Sequence, residues 1–331
     1  MIKLSICIFT YNRAECLRQA LNSIYSNFEQ LSLDRGLVEV VVSDNCSNDA
    51  TASVVGEFKK ILPITYSVNV TNLGADANLR IAASLARGEY IWFMADDDAL
   101  IDEALMRVIK FLQCNDDVSY IYYPRLLTDN NLNIIEGGQQ PKGIGHDIIF
   151  ENGKDLFCSL DGQMPGILFY VSSTIIKRSV WEGAVNRFPA NIEGFGHARP
   201  ILSAIIDNKC AILDKPGILC RLYNHRDMSS RIWFDNYISI ILFANQLGFS
   251  DDLCRRLIRQ LSRRYQSTFV LDKARGDRND NILSAASRIG CQYIINPFSL
   301  WIFLSIFPVK LLRLLLPLYK LRKFLQKDYA R

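Results

Sequence analysis

The chain is poor in the residues and spacings that mark several common classes of protein. Only three histidines occur, and the nine cysteines include no CxxC pair, which argues against a zinc site and against a disulfide framework. No GxGxxG follows the first apolar segment and no GxxxxGK[ST] is present, so a dinucleotide oxidoreductase or a P-loop NTPase is not favoured. The absence of a Gly-x-Ser-x-Gly elbow argues against an α/β-hydrolase.

The chain also has only a small excess of positive over negative charge. The 331 residues carry 38 Lys and Arg against 34 Asp and Glu, a net charge of +4, which predicts no nucleic-acid partner because such a partner requires a concentrated basic face. The apolar segment at residues 3–9 is too short for a secretory signal. Scattered cysteines are typical of buried, reduced thiols, so we expect a cytoplasmic protein.

Strand-type and helix-type segments alternate over the first third of the chain. The strand patterns lie at residues 3–9, 38–42, 64–68, 89–94 and 118–123. Segments with helical spacing separate them, which predicts an α/β fold: a mostly parallel sheet flanked by helices. Residues 125–165, rich in Gly, Asn and Asp, predict a long loop region, and residues 232–290 have a helical pattern.

Polar side chains follow these strands at their carboxyl ends, where ligands bind in such sheets. Asp96, Asp97 and Asp98 follow the fourth strand, and adjacent carboxylates repel one another unless a cation lies between them. Mg2+ and Mn2+ prefer oxygen ligands of this kind. Helix capping is the alternative explanation for such aspartates, and Asp49 in particular is expected to cap the helix that follows it.

Four segments together resemble a known family. They are residues 5–13 (SICIFTYNR), 41–51 (VVSDNCSNDAT), 72–74 (NLG) and 88–98 (GEYIWFMADDD). In this order and spacing they resemble the family 2 glycosyltransferases of GT-A fold, and among these the bacterial O-antigen enzymes such as abequosyltransferases. The resemblance covers about residues 1–110 and weakens over residues 111–225.

The resemblance implies an inverting transfer of a hexosyl or deoxyhexosyl group from a nucleoside-diphosphate sugar to a lipid-linked saccharide acceptor. It implies a divalent metal, Mn2+ or Mg2+, at Asp97 and Asp98. Ala95 stands where the family usually has the first Asp of its metal motif. The donor contacts that it implies come from Thr10, Tyr11, Asn12, Arg13, Asp44, Asn72, Gly74, Asn78 and Asp96.

The catalytic base is less defined by the resemblance, because the family's acidic pair has no counterpart here. The matching position falls near His197, whose unperturbed pKa suits a general base. Glu193, four residues earlier, is the second candidate, and Asp161 stays open. Arg80 is either a donor-phosphate contact or an ordinary helix residue.

The missing acidic residues also motivate a second hypothesis, a catalytically weak or inactive nucleotide-sugar-binding protein of the same fold. A third hypothesis is a nucleotidyltransferase, which shares the fold and the use of a metal, although the first loop lacks the Gly-rich, basic sequence that such an enzyme needs.

The C-terminal segment has a different character from the rest of the chain. Leucines alternate there with lysines and arginines, which predicts a basic amphipathic segment on the inner face of the cell membrane; a core-packing helix is the alternative. The predicted organisation is a GT-A domain at residues 1–225 (nucleotide-sugar half 1–110, acceptor half 111–225), a helical extension at 226–296 and a membrane-associating tail at 297–331.

Overall fold

A computed structural model describes most of the first 261 residues. The described ranges are 1–135, 145–159, 170–189, 196–221 and 230–261. The chain divides into two compact units, Met1–His225 and Arg226–Arg331.

An eight-stranded sheet forms the centre of the first unit. Its strands are β1 (Leu4–Thr10), β2 (Val38–Asp44), β3 (Ile64–Val68), β4 (Tyr90–Ala95), β6 (Tyr120–Tyr122), β8 (Ile148–Phe150), β9 (Thr174–Lys177) and β10 (Cys210–Ile212). Their order is β3-β2-β1-β4-β9-β6-β10-β8. The first four strands are mutually parallel, and β6 and β10 are parallel, whereas β9 and β8 run antiparallel to their neighbours.

A smaller sheet begins directly after the three aspartates. Its strands are β5 (Ala99–Leu100), β7 (Arg125–Thr128) and β11 (Ile218–Arg221). β11 lies in the middle, antiparallel to β5 and parallel to β7. Through its pairing with β5, β11 therefore lies next to the aspartates.

Helices cover the sheets of the first unit. They are α1 (Ala14–Gln30), α2 (Thr51–Phe58), α3 (Ala75–Ser84), α4 (Ala104–Cys114), α5 (Gly153–Ser159), α6 (Arg178–Val185) and α7 (Ala198–Ile205). The second unit has its own helices, α8 (Ser230–Gln246) and one at residues 251–261. α1 buries Leu17, Leu21 and Ile24, which lie on one face at helical spacing.

The long loop region predicted for residues 125–165 is wrong. β7, β8 and α5 all lie within that range. The two strands have only three or four residues each, and β8 pairs with β10, some sixty residues later. Segments this short carry no readable periodicity, so the pairing partner and not the local sequence decides their structure.

The central strands are buried on both faces, which explains their nearly continuous apolar sequence. In β2 every residue is buried, including Glu39. Its carboxylate accepts hydrogen bonds from the Ser5 hydroxyl at 2.7 Å and from the Arg87 Nη2 at 2.7 Å. Burial acts to raise the pKa of Glu39, but these hydrogen bonds outweigh it and lower the pKa below its usual value.

The strand register aligns the carboxyl ends of β1, β2 and β4. Thr10 pairs with Asp44 across β1 and β2, and Phe9 pairs with Ala95 across β1 and β4. The polar residues that end these strands therefore meet at one edge of the sheet, as the sequence predicts.

The second unit contributes α8 and the helix at residues 251–261. Ile241, Ala244 and Leu257 are among its buried apolar residues. Within the described part of the chain, no helix combines the length and apolar character that crossing a membrane requires. The predicted tail at residues 297–331 lies outside the described residues.

Candidate functional site

Asp96 is held from the β1 side of the sheet. The Thr10 hydroxyl donates a hydrogen bond to its Oδ2 at 2.7 Å, and Arg13 Nη1 lies 3.2 Å from its Oδ1. Arg13 Nη1 also lies 3.1 Å from Asp97 Oδ2, so one guanidinium bridges two carboxylates. Burial, followed by the charge of Asp97, raises the pKa of Asp96 to about 6.

Asp98 is held from the opposite side. It is 1% exposed, and its carboxylate accepts hydrogen bonds from the Ser172 hydroxyl, the Tyr170 hydroxyl at 3.1 Å and the Arg221 main-chain N–H at 3.2 Å. Burial, with a contribution from Asp97, raises the pKa of Asp98 to about 7. Both of its oxygens are therefore used within the protein.

Asp97 is the most open of the three aspartates. Its side chain is 14% exposed, against 6% for Asp96. The sequence predicts Asp96 as a donor contact and Asp97 as a metal contact. Of the three aspartates, Asp97 has the carboxylate most accessible to a bound cation. Within the described residues, no three His, Cys, Asp or Glu side chains are grouped so as to hold a metal ion.

The loops after β1 and β2 are joined by hydrogen bonds. The Asn12 N–H donates to the Ser47 hydroxyl at 2.8 Å, and the Asn48 N–H donates to Asn12 Oδ1 at 2.8 Å. Asn12 has a φ of 51°, a left-handed conformation that asparagine adopts more readily than most residues. Tyr11, 43% exposed, lies beside this junction and is free to meet a ligand surface.

Asp49 caps two helices. Its Oδ1 accepts the Thr51 N–H of α2 at 3.0 Å, which confirms the predicted cap, and its Oδ2 accepts the Ala14 N–H of α1 at 2.9 Å. Burial acts to raise the pKa of Asp49, but the hydrogen bonds from Thr51 and Ala14 lower it below the usual value.

Asp44 is buried at the end of β2 with two fixed partners. Its Oδ1 accepts the Ser47 N–H at 2.9 Å, and its Oδ2 accepts the Tyr66 hydroxyl at 2.7 Å. A carboxylate offers about four acceptor positions, so about two remain for a ligand. The sequence motifs did not single out Tyr66; its only signal was its place on the strand that pairs with β2.

Asn78 is a structural tie between β1, β2 and α3. Its Oδ1 accepts hydrogen bonds from the Ser43 hydroxyl at 2.6 Å and from Asn69 Nδ2 at 3.0 Å. Its Nδ2 donates to the carbonyls of Thr10 and Ser43 at 3.3 and 3.0 Å. Both polar atoms of the Asn78 amide are thus hydrogen-bonded within the protein, and they hold the ends of β1 and β2 together.

Asn72 and Gly74 shape the turn that starts α3. Asn72 Oδ1 accepts hydrogen bonds from Asn45 Nδ2 at 2.7 Å and from the Gly74 N–H at 2.9 Å. Gly74 has a φ of +84°, which a residue with a side chain rarely adopts. The turn therefore needs both residues for its conformation.

Arg80 contacts the segment after α6 and the first turn of its own helix, α3. Its Nη1 donates to the Phe188 carbonyl at 2.9 Å and its Nη2 to the Pro189 carbonyl at 3.1 Å, beyond the end of α6. Its Nε lies 3.2 Å from Asp76 Oδ2. These contacts make Arg80 a link between α3 and the segment after α6, and its side chain is only 16% exposed.

His197 directly precedes α7 and is 8% exposed. A Cβ placed on the neighbouring Gly196 would lie 2.5 Å from the carboxyl carbon of Asp76, in the first turn of α3. The start of α7 thus packs against the start of α3. Glu193 and Asp161, the other base candidates, lie outside the described residues.

Asp76 is a residue of this region that the sequence motifs did not indicate. Its Oδ1 is buried and has no hydrogen-bond partner, and burial raises the pKa of this carboxyl above its usual range. Buried carboxyls with perturbed pKa values cluster at functional sites, but a single sequence contains no signal for such an effect.

Comparison with known proteins agrees with this geometry. Residues 5–156 match the sequence model of the glycosyl transferase family 2. This match covers a little under half of the chain, and over these residues the chain is similar to the family that the motifs indicated. Together with the curated relatives it supports a glycosyltransferase enzyme.

Individual relatives extend the likeness beyond the first half of the chain. The abequosyltransferase RfbV of Salmonella typhimurium is 28% identical over 307 residues, which cover 87% of this chain and 90% of that protein. The structure of Staphylococcus aureus TarS 1-349 in complex with UDP superposes with a TM-score of 0.61 at 17% identity, over 83% of this chain and 78% of that one. The mannosyltransferase PcManGT of Pyrobaculum calidifontis, solved with GDP-Man and Mn2+, gives a TM-score of 0.52 at 15% identity, over 91% and 83% of the two chains. These neighbours confirm the predicted GT-A fold.

Proposed function

We propose that this glycosyltransferase transfers a sugar, with inversion, from a nucleoside-diphosphate sugar to a lipid-linked saccharide in bacterial O-antigen synthesis. The observation that carries the proposal is the alignment of Thr10, Asp44 and the three aspartates at the carboxyl ends of parallel strands. The likeness to an abequosyltransferase over most of both chains supports the class of product.

In this proposal the donor lies along the edge of the sheet. Asp44 accepts an N–H from the base with the acceptor positions that Ser47 and Tyr66 leave open. Tyr11, exposed beside the loops after β1 and β2, contacts the nucleoside. The similar structures, TarS in complex with UDP and PcManGT in complex with GDP-Man and Mn2+, support a nucleoside-diphosphate donor.

The residues present fit a divalent metal that the donor itself helps to bind. Mg2+ and similar ions are often held by one or two carboxylates together with substrate phosphates, without a complete cage of protein ligands. Asp97 offers one accessible carboxylate, whereas both Asp98 oxygens already have partners. We therefore assign the metal contact to Asp97 and give Asp98 a supporting role. A bound divalent ion there would stabilise the negative charge of the departing diphosphate.

The protein's own residues then carry out one displacement. His197 accepts the proton of the acceptor hydroxyl, and that oxygen forms a bond to the anomeric carbon. The bond between this carbon and the diphosphate oxygen breaks on the opposite face, and the nucleoside diphosphate leaves with the electron pair. The packing of the start of α7 against α3 supports His197 in this role; Glu193 is the second candidate.

In this proposal the two substrates are bound by successive parts of the chain. Residues 1–110 bind the donor and residues 111–225 bind the acceptor. A basic, leucine-rich tail at 297–331 would hold the enzyme at the inner face of the membrane, where a lipid-linked acceptor lies. Removal of residues 297–331 is expected to abolish co-sedimentation with anionic phospholipid vesicles; equal pelleting of both forms would refute this part.

The central test compares the wild type with Asp97→Asn and His197→Gln. We expect the wild type to release nucleoside diphosphate in the presence of Mn2+, Asp97→Asn to lose this turnover and the Mn2+ dependence, and His197→Gln to bind donor but not transfer it. Asp117→Asn, an exposed aspartate paired with Lys209, is the matched control. Nucleotide binding without any turnover by the wild type would favour the inactive binding protein. Release of pyrophosphate would favour a nucleotidyltransferase.

A further inference from the structure

Arg221, the last residue of β11, connects the aspartates to two other parts of the first unit, the segment at Asn130 and α1. Its Nη1 donates to the Asp97 carbonyl at 2.8 Å and its Nε to the Asn130 carbonyl at 3.1 Å. Its Nη2 donates to Gln19 Oε1 on α1. In addition, its main-chain N–H donates to Asp98 at 3.2 Å. One residue thus holds two consecutive aspartates from the acceptor half of the domain.

The chemistry of these contacts is unusual for a buried cation. Arg221 is 4% exposed, yet its side-chain contacts are all to uncharged oxygens. Burial of a charge is costly unless other charges and hydrogen bonds compensate it. The neighbouring aspartates supply the compensating charge without a direct ion pair, which leaves the guanidinium fork free to bind main-chain carbonyls.

Asp97 is held differently at its side chain and at its main chain. Its carboxylate contacts Arg13, whose side chain is itself 51% exposed. The main chain of Asp97, by contrast, is fixed by a buried guanidinium. The backbone from which the Asp97 carboxylate projects is therefore held from β11, while Arg13 contacts the carboxylate itself.

We propose that Arg221 is a positioning residue that fixes Asp97 for metal and donor binding; this inference rests on the proposed function. The planar guanidinium donates from three nitrogens to acceptors on three different segments. A lysine at this position would keep the charge, but its single ammonium group cannot span these acceptors. Arg221→Lys should therefore loosen Asp97 while leaving the buried charge in place.

The test measures nucleoside diphosphate binding by calorimetry across a series of MnCl2 concentrations, with UDP, CDP, GDP and dTDP as probes. For Arg221→Lys we expect the Mn2+ concentration at half-maximal binding to rise about tenfold. This factor corresponds to the loss of about one charge-assisted hydrogen bond. Saturating Mn2+ should restore the affinity to near the wild-type value. A purely structural role would lower the melting temperature without changing the Mn2+ dependence.

Two further variants make the result decisive. Arg107→Lys is the matched control, because Arg107 reaches the Lys215 carbonyl before the start of β11, at the end of the strand away from the aspartates; its Mn2+ dependence should equal that of the wild type. Gln19→Met removes one acceptor of Arg221 and should shift the Mn2+ dependence in the same direction by a smaller factor, even where Arg221→Lys does not fold.

The outcomes separate the two proposals. A wild type that binds none of the four nucleoside diphosphates contradicts the proposed function. A wild type that binds one of them, with an unchanged Mn2+ dependence in folded Arg221→Lys or in Gln19→Met, contradicts the positioning role of Arg221 alone.

Discussion

Replacement of Asp44 by asparagine tests the donor site at its most defined point. The Asp44 carboxylate has two internal partners, Ser47 and Tyr66, and two open acceptor positions. An asparagine can still accept the Ser47 N–H, so the fold should survive. A hydrogen bond to a charged group contributes about 1.5–3 kcal/mol, and about 1.4 kcal/mol corresponds to a tenfold change in affinity. We therefore expect nucleoside diphosphate binding to weaken by about 10- to 100-fold.

Calorimetry with the nucleoside diphosphate preferred by the wild type measures this change. Tyr66→Phe removes one fixed partner of Asp44 but keeps the charge, so it should weaken binding by less than tenfold. Asp117→Asn, on the surface, should leave the affinity unchanged. Equal affinities for the wild type and folded Asp44→Asn would refute the assignment of Asp44 to base recognition.

Three further predictions concern stability and the base. Gly88→Ala should lower the free energy of unfolding by about 1–3 kcal/mol, because the new Cβ would lie 2.7 Å from a main-chain nitrogen of β1; Gly56→Ala, with no atom within 4 Å, should raise it slightly, and thermal melts compare the two. The pKa of Glu39 is lowered in the folded state, so its contribution is present above the unfolded-state pKa of about 4.3 and is lost as the pH falls further. Glu39→Gln should thus be less stable than the wild type at pH 7, and urea titrations should show the difference shrinking below about pH 4. His197→Gln should lower kcat by about 100-fold or more in steady-state assays without weakening donor binding; an unchanged kcat would move the base to Glu193.

The structure of the first 110 residues could be predicted from the sequence because its signals are local. β1, β2 and β4 are nearly continuous apolar runs, each followed at once by polar residues, and parallel strands place those residues at one edge. The strand bounds agree with the predicted ones within about two residues, the usual uncertainty at element ends.

The structure of residues 111–225 could not be predicted in the same way because it depends on pairing between distant segments. β7 joins β11 through residues more than ninety positions apart, with Ile218 opposite Arg125. Neither strand exceeds four residues. Such segments gain their conformation from the neighbouring strand, and a window of sequence contains no trace of that neighbour.

The different roles of the three aspartates could not be predicted from the sequence for the same reason. In the sequence they are equivalent, and the predicted metal pair was Asp97 and Asp98. The structure distinguishes Asp98 by partners that lie 72 to 123 positions away, Tyr170, Ser172 and Arg221. Only the tertiary fold therefore reveals which carboxylates are already occupied.

The turn that carries Asp97 connects the two sheets, and this has a consequence for specificity. The Asp98 N–H lies 3.4 Å from the Ala95 carbonyl, so Asp96 and Asp97 form the middle of a turn between β4 of the large sheet and β5 of the small one. Asp96 is tied to β1 and Asp98 to β11. Two strands of the small sheet, β7 and β11, lie in the predicted acceptor half, so a movement of this sheet is expected to shift Asp97 relative to Thr10. Binding of acceptor and donor should accordingly be coupled through this turn, without a direct contact between the two substrates.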